Sequence, residues 1–278
     1  MSKIFSRSFR ARWAELDPSG AVGPANYLRY VVETAWDWGV AIGWDAKYSE
    51  TPDILWLIRD VEIRFLRPLR HNDEFDLTIW LVNWQRVRGT RCFELTRKDN
   101  GEVVAQGTQQ IVCMDAKTGR PTNPPTDING ALGIENPRVF PAERFPKISP
   151  VDNSFVMQRQ VEWMDLDSYE HVNNVIYVNY AEEAAAQAFA ARGWTPARLA
   201  EAGLSVVTRR VQFQYLAIAG WGETLNISTH MLNVHETGGS RYVGISRADG
   251  SPVAECIMDW ESVDRTSGEV RPLPDELR

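Results

Sequence analysis

The sequence predicts an α+β protein built from two copies of one unit, each a curved antiparallel sheet wrapped around one long helix. Three observations carry that expectation. The chain matches itself when Trp13 is laid on Trp163. Each copy holds one long segment with helical spacing, followed by several segments of alternating polarity. A proline-rich stretch separates the copies.

The repeat comes first because a missed repeat misreads the whole fold. At this offset Trp13, Leu16, Asp17, Val22, Tyr27, Tyr30, Glu33, Gly43 and Trp44 fall on Trp163, Leu166, Asp167, Val172, Tyr177, Tyr180, Glu183, Gly193 and Trp194 without a gap. Further on, Val61, Leu66, Asn83, Arg91 and Arg97 meet Val211, Leu216, Asn233, Arg241 and Arg247. A one-residue deletion then aligns Val104-Ala105 with Val253-Ala254. Each copy covers roughly 120 residues, an ordinary domain size. The expected domains are 1–120 and 151–278. Residues 121–150 form a linker marked by Pro124-Pro125, Asn129-Gly130, Pro137, Pro141 and Pro146.

The elements of one copy follow in order. Phe5 to Trp13 reads as a short strand. A turn-rich stretch holds Asp17-Pro18-Ser19-Gly20, or Asp167-Ser168-Tyr169-Glu170 in the second copy. A helix follows, with Tyr27, Tyr30, Val31, Thr34 and Trp38 on one face and Tyr177, Tyr180, Ala181, Ala184 and Ala188 on its counterpart. Strands come next: Val61, Ile63 and Phe65 alternate with charged residues, as do Phe75, Leu77, Ile79 and Leu81. The segments 92–97 and 103–114 close the copy, turning at Asp99-Asn100-Gly101. A lone sheet on one helix leaves a face and an edge uncovered. Pairing the copies would cover both, so an intramolecular pseudo-dimer is expected, with pockets where the halves meet.

Composition narrows the function. The chain has 278 residues and a formal net charge of −7, which is not the basic footprint of a nucleic-acid binder. Cys92, Cys113 and Cys256 are too few and too scattered for a disulfide framework or a zinc site. No signal-peptide run or membrane span appears, so a soluble cytoplasmic protein is expected. The G-x-S-x-G, G-x-G-x-x-G and P-loop patterns are absent.

Two segments can carry chemistry. One runs Asp165-Leu166-Asp167-Ser168-Tyr169-Glu170-His171-Val172-Asn173-Asn174, the other Glu15-Leu16-Asp17-Pro18-Ser19-Gly20-Ala21-Val22-Gly23-Pro24-Ala25-Asn26-Tyr27. Each sets an acid shortly before a helix start. A helix amino end offers unpaired N–H groups and partial positive charge, which can stabilise the oxyanion of an attacked thioester carbonyl. A nearby carboxylate can attack that carbonyl or activate a water. An Asp before a helix is ordinarily a cap or a turn former. Two such acids in register across a repeat point instead to chemistry. Glu15 and Asp165 read as solvated or capping.

The Asp165 segment, continued to Tyr177, resembles the D-x-D-x-x-x-H-V-N-N-x-x-Y signature of acyl-CoA and plant-type acyl-ACP thioesterases. The Glu15 segment resembles the D-P-x-G-x-V-x-x-x-N-Y signature of the 4-hydroxybenzoyl-CoA thioesterase family. Both belong to the hot-dog superfamily, so the resemblance implies a tandem hot-dog. It also implies Asp167 and Asp17 as catalytic carboxylates, without metal or organic cofactor. His171, Asn173, Asn174, Asn26 and Tyr27 become substrate-binding or oxyanion positions. The departures are Glu170 in place of a common Gly, Tyr169 in place of a plant-type Asn, and Pro24 where Asn174 stands in the other copy. Proline has no N–H, so the Asp167 site ranks above the Asp17 site.

The expected function is hydrolysis of an acyl thioester. Its substrate is acyl-CoA or acyl-ACP, with CoA favoured because an acidic chain gains nothing from an acidic carrier protein. Homo-oligomers of pseudo-dimers are compatible with this reading. The alternative is a non-catalytic double hot-dog that binds acyl thioesters as sensor or scaffold. Trp36, Trp38, Trp56, Trp80 and Trp84 can pack a core or line an acyl pocket. Arg64, Arg67, Arg70, Arg86, Arg88, Arg209 and Arg210 can lie on a solvated face or meet phosphates.

Overall fold

The computed structural model describes residues 4–41, 54–124, 138–141, 143–148, 151 and 153–277. Gly43, Trp44, Pro125, Asn129, Gly130 and Pro137, used above, lie outside them. The chain divides into two compact units, Met1–Glu143 and Arg144–Arg278.

The first unit opens with β1 (Ile4–Arg10) and a single 3-10 turn, Trp13–Glu15. The long helix α1 follows (Pro24–Ala41). Four strands complete the unit: β2 (Ile54–Phe65), β3 (Glu74–Gln85), β4 (Arg88–Arg97) and β5 (Val103–Asp115). Their order is β1-β3-β4-β5-β2, every neighbour antiparallel. The second unit repeats this plan with β6 (Phe155–Gln160), a 3-10 turn Trp163–Asp165, and α2 (Asn174–Ala191). Its strands are β7 (Leu204–Tyr215), β8 (Thr224–His235), β9 (Gly238–Arg247) and β10 (Pro252–Asp264), in the order β6-β8-β9-β10-β7. Two elements had no sequence signal strong enough to predict them: the short helix α3 (Pro196–Glu201) and the turn Asp275–Leu277.

Alternation builds each core. In β3, Phe75, Leu77, Ile79 and Leu81 are buried, as are Phe93 and Leu95 on the neighbouring β4 and Ile63 on β2. The α1 face Tyr27, Leu28, Tyr30, Val31, Thr34 and Trp38 is buried, and the helix packs against β1 and β3. Fully burying one Leu or Phe is worth about 1.5–3 kcal/mol, so this shared layer holds helix to sheet. The α2 face is smaller, with Ala181, Ala184 and Ala188 among Val175, Tyr177, Val178 and Phe189, against β6, β8 and β9. All three cysteines are buried and unbridged. Trp38 and Trp80 join the core as expected, whereas Trp36 is exposed.

Part of the expected linker lies on the first unit. Trp80 Nε1 donates to the Arg138 carbonyl at 2.7 Å, and Phe140 meets the Trp80 ring edge-on at 5.6 Å. Arg138 pairs with Glu94, and Glu143 N donates to Glu62 Oε2 at 3.0 Å. These contacts give a proline-rich, non-repetitive stretch a place that its composition does not reveal. No described helix is long and apolar enough to cross a membrane.

Candidate active site

The two acid-bearing loops close on one backbone network. In the first unit Asp17 N donates to Ala21 O at 2.8 Å, Gly20 N to Asp17 O at 2.9 Å and Gly23 N to Glu15 O at 3.0 Å. In the second, Asp167 N donates to His171 O at 2.8 Å, Glu170 N to Asp167 O at 3.0 Å and Asn173 N to Asp165 O at 2.8 Å. Isolated antiparallel bridges Leu16 to Val22 and Leu166 to Val172 close each loop. A Cβ placed on Gly23 would lie 3.8 Å from the Asp17 Cβ, which puts that acid beside the helix amino end.

The first acid of each pair is structural. Glu15 and Asp165 are 8% and 6% exposed, so the expectation that they are solvated is wrong, while capping holds. Each carboxylate takes the backbone N–H three residues earlier: Arg12 N to Glu15 Oε2 at 2.7 Å, Glu162 N to Asp165 Oδ2 at 2.8 Å. Each also takes a hydroxyl from nearly two turns into the site helix, from Tyr30 and Tyr180. Burial by itself would raise the Glu15 carboxyl, but the bonds from Arg12 and Tyr30 outweigh it and hold it below its ordinary value. A carboxyl depressed in the folded state stabilises the fold above its unfolded value, and that contribution fades as pH falls through the lower folded value. Wild type is therefore expected to melt higher than Glu15→Gln at neutral pH, with the gap closing well below the ordinary carboxyl value of 4.5. Thermal scans across that range measure it, and a gap independent of pH would contradict the assignment.

The second acid is partly exposed in both units. Asp17 Oδ1 receives Ser19 N at 2.7 Å and Ser19 Oγ at 2.5 Å. Asp167 Oδ1 receives only Tyr169 N, at 2.9 Å, so its other oxygen is uncommitted among the described residues. The helix starts differ as well. Asn173 caps α2 by accepting Val175 N at 3.2 Å, and Ile176 N donates to Asn173 O at 2.8 Å. Among the described residues Asn174 then carries two donors without an acceptor: its backbone N–H and its buried Nδ2. Pro24 supplies no N–H at the equivalent place. The His171 ring makes no hydrogen bond among the described residues; only its carbonyl ties the loop.

Two predicted site residues of the first unit are engaged by the fold instead. Tyr27 is 2% exposed and its hydroxyl accepts Leu69 N at 3.0 Å. Asn26 Nδ2 donates to Glu15 O at 2.9 Å. Sequence reasoning missed Tyr215, whose hydroxyl donates to Asn174 O at 2.9 Å and pins the helix start. Its signal was available: Phe65 stands at the matching position of the first copy, so the second copy differs by one hydroxyl. The arginines considered for phosphates are largely spent on local acids, with Arg64 on Glu62, Arg67 on Glu102, Arg209 on Glu261 and Arg210 on Asp259. Among the described residues no group of three or more His, Cys, Asp or Glu side chains is placed to hold a metal ion.

Glu170 sits at φ +62° where the matching Gly20 sits at φ +79°. The left-handed region costs a side-chain-bearing residue about 1–2 kcal/mol. Glycine regains part of that and loses some to its freer unfolded chain. Glu170→Gly is thus expected to stabilise the protein by about 0.5–1 kcal/mol. A raised denaturant midpoint at constant slope would show it.

Two units of this plan, each with an acid-bearing loop at the amino end of its one long helix, define a tandem hot-dog. The chain belongs to the thioesterase-like superfamily, whose family model matches residues 11–132 and 161–278. It is similar to the chloroplastic dodecanoyl-acyl-carrier-protein hydrolase of Cinnamomum camphora, 25% identical over 65% of this chain and 50% of that protein. It is also similar to the long-chain acyl-CoA thioesterase FadM of Escherichia coli, 27% identical over 39% of this chain and 82% of that protein. The chain spans about half the length of the plant hydrolases it matches. Among solved structures, the 12:0-ACP thioesterase of Umbellularia californica superposes with a TM-score of 0.78 at 20% identity, covering 94% of both chains. An acyl-ACP thioesterase of Bacteroides thetaiotaomicron superposes with a TM-score of 0.75 at 20% identity, covering 94% of this chain and 100% of that one. These two likenesses concern the fold.

Proposed function

We propose that this chain hydrolyses acyl thioesters at the Asp167 loop, releasing a carboxylic acid and a thiol. The observation that carries the reading is the pairing, within one short loop, of a carboxylate with one uncommitted oxygen and two donors of Asn174 that lack acceptors. The Asp167 carboxylate attacks the thioester carbonyl or draws a proton from the attacking water. The carbonyl oxygen gains negative charge and is met by the N–H groups at the start of α2. The C–S bond breaks, the sulfur leaves and takes up the proton, and water supplies the new oxygen. His171 has a ring free to orient the carbonyl or the carboxylate. Asp17 also keeps one oxygen uncommitted among the described residues, and it is the lesser site because Pro24 removes the donor that Asn174 supplies in the other unit.

The substrate carrier is CoA in this reading, supported by the net charge of −7, which disfavours an acidic carrier protein. Likeness to acyl-carrier-protein hydrolases over the larger share of the chain favours the other carrier. Matched acyl-CoA and acyl-ACP substrates, followed by release of free thiol, decide between them. Tight binding of every thioester without thiol release would replace the hydrolase with a sensor or scaffold.

A further inference from the structure

Arg91 and Arg241 occupy equivalent places on β4 and β9. Burial pushes each guanidinium down to about 10, and Arg192 adds to the effect at Arg241. Neither pairs with a carboxylate among the described residues. In the first unit the chain supplies an acceptor: Arg91 Nε donates at 2.8 Å to Oε1 of Gln109, the residue opposite it on β5. In the second unit Met258 faces Arg241 from β10. A thioether is a weak acceptor. Arg241 Nε finds none among the described residues, in a residue only 3% exposed.

The surroundings of Arg241 are apolar and contain donors. Its Nη1 reaches Thr229 Oγ1 at 3.1 Å. The guanidinium carbon lies 4.9 Å from the Phe189 ring, and Trp260 meets Phe189 edge-on at 5.2 Å. Trp194, Leu273 and Leu277 complete this cluster, and the indole N–H groups of Trp194 and Trp260 also lack acceptors among the described residues. A buried cation without a partner is costly, and an anion that joins it offsets that cost. A guanidinium fork matches a carboxylate in particular.

We propose that this cluster binds a carboxylate carried on an apolar body, with Arg241 as the partner of the carboxylate. The rings of Phe189 and Trp260 meet the body, and the ligand carboxylate supplies the acceptor that Gln109 supplies to Arg91 and that Met258 does not supply to Arg241. Two sources share this chemistry: a fatty acid released by hydrolysis, and the distal carboxylate of a dicarboxylic acyl thioester. Both sources rest on the acyl-thioesterase reading; the binding site itself does not.

Calorimetric titration of the full chain with dodecanoate tests the site. Arg241→Met and Met258→Gln are each expected to weaken dodecanoate binding by about 30-fold or more. Dodecanol, which lacks the charge, is expected to bind wild type and Arg241→Met alike. Arg241→Met is expected to keep or raise the melting temperature, since it replaces an unpaired buried charge with an apolar side chain. Should Arg241→Met fail to fold, Met258→Gln carries the test alone. Equal dodecanoate binding by wild type and the folded variants, or none by wild type, overturns the site. A KM rise in Arg241→Met confined to dodecanedioyl-CoA, with dodecanoyl-CoA unchanged, supports the distal carboxylate as the source. Unchanged KM for both, with dodecanoate inhibiting wild type only, supports the released acid. Absence of any thioester hydrolysis by wild type would sink the catalytic reading while leaving the dodecanoate result standing.

Discussion

Asp167→Asn is expected to lower thioester hydrolysis by about 10²–10⁴-fold, the range associated with a positioned acid or base. The loss should fall on kcat rather than KM, because the carboxylate acts on the reacting carbonyl or water and not on the bulk of the substrate. The fold should survive, since an Asn side-chain oxygen can still accept the Tyr169 N–H that Asp167 Oδ1 accepts at 2.9 Å. Asp17→Asn should retain most of the activity, because Pro24 at its helix start supplies no N–H where Asn174 carries two donors. The opposite pattern, full loss with Asp17→Asn and none with Asp167→Asn, would invert the assignment of the two loops. Thiol release under saturating and limiting substrate separates kcat from KM in each variant.

Asp165→Ala, only two residues away, should have the opposite signature. Its carboxylate is buried and accepts both Glu162 N at 2.8 Å and the Tyr180 hydroxyl at 2.7 Å, with Arg159 at 3.8 Å. Alanine leaves a buried hydroxyl and a backbone N–H without acceptors, and the expected cost is about 2–4 kcal/mol. For a chain of this size that lowers the melting temperature by roughly 5–15 °C. Tyr180→Phe removes the hydroxyl along with its need, so the double variant with Asp165→Ala should lose less than the sum of the singles. Strict additivity would show that the buried pair is not coupled. The two substitutions together distinguish an acid that holds the loop from one that faces a substrate.

Much of this was legible in the chain alone. The repeat, the single long helix in each copy and the strand alternation are local patterns of period 3.6 and 2, and they survive folding because each element buries its own apolar face. The register of Asp17 with Asp167, and the contrast of Pro24 with Asn174, were likewise visible as aligned letters. What the letters did not separate was the role of each acid within a pair. Glu15 and Asp165 look like surface acids, but in the fold they are buried and bonded to Tyr30 and Tyr180, fifteen residues away in the chain. The same holds for Tyr215, which reaches Asn174 across a gap of many residues. It holds again for Arg91 and Arg241, matched in sequence, where the residue opposite on the next strand decides whether the cation has an acceptor. Sequence determined the long helix and the strands of each copy, the duplication and the chemical groups at the helix start. Tertiary structure decided which of those groups are already satisfied, because hydrogen-bond partners and burial depend on residues distant in the chain and adjacent only after folding.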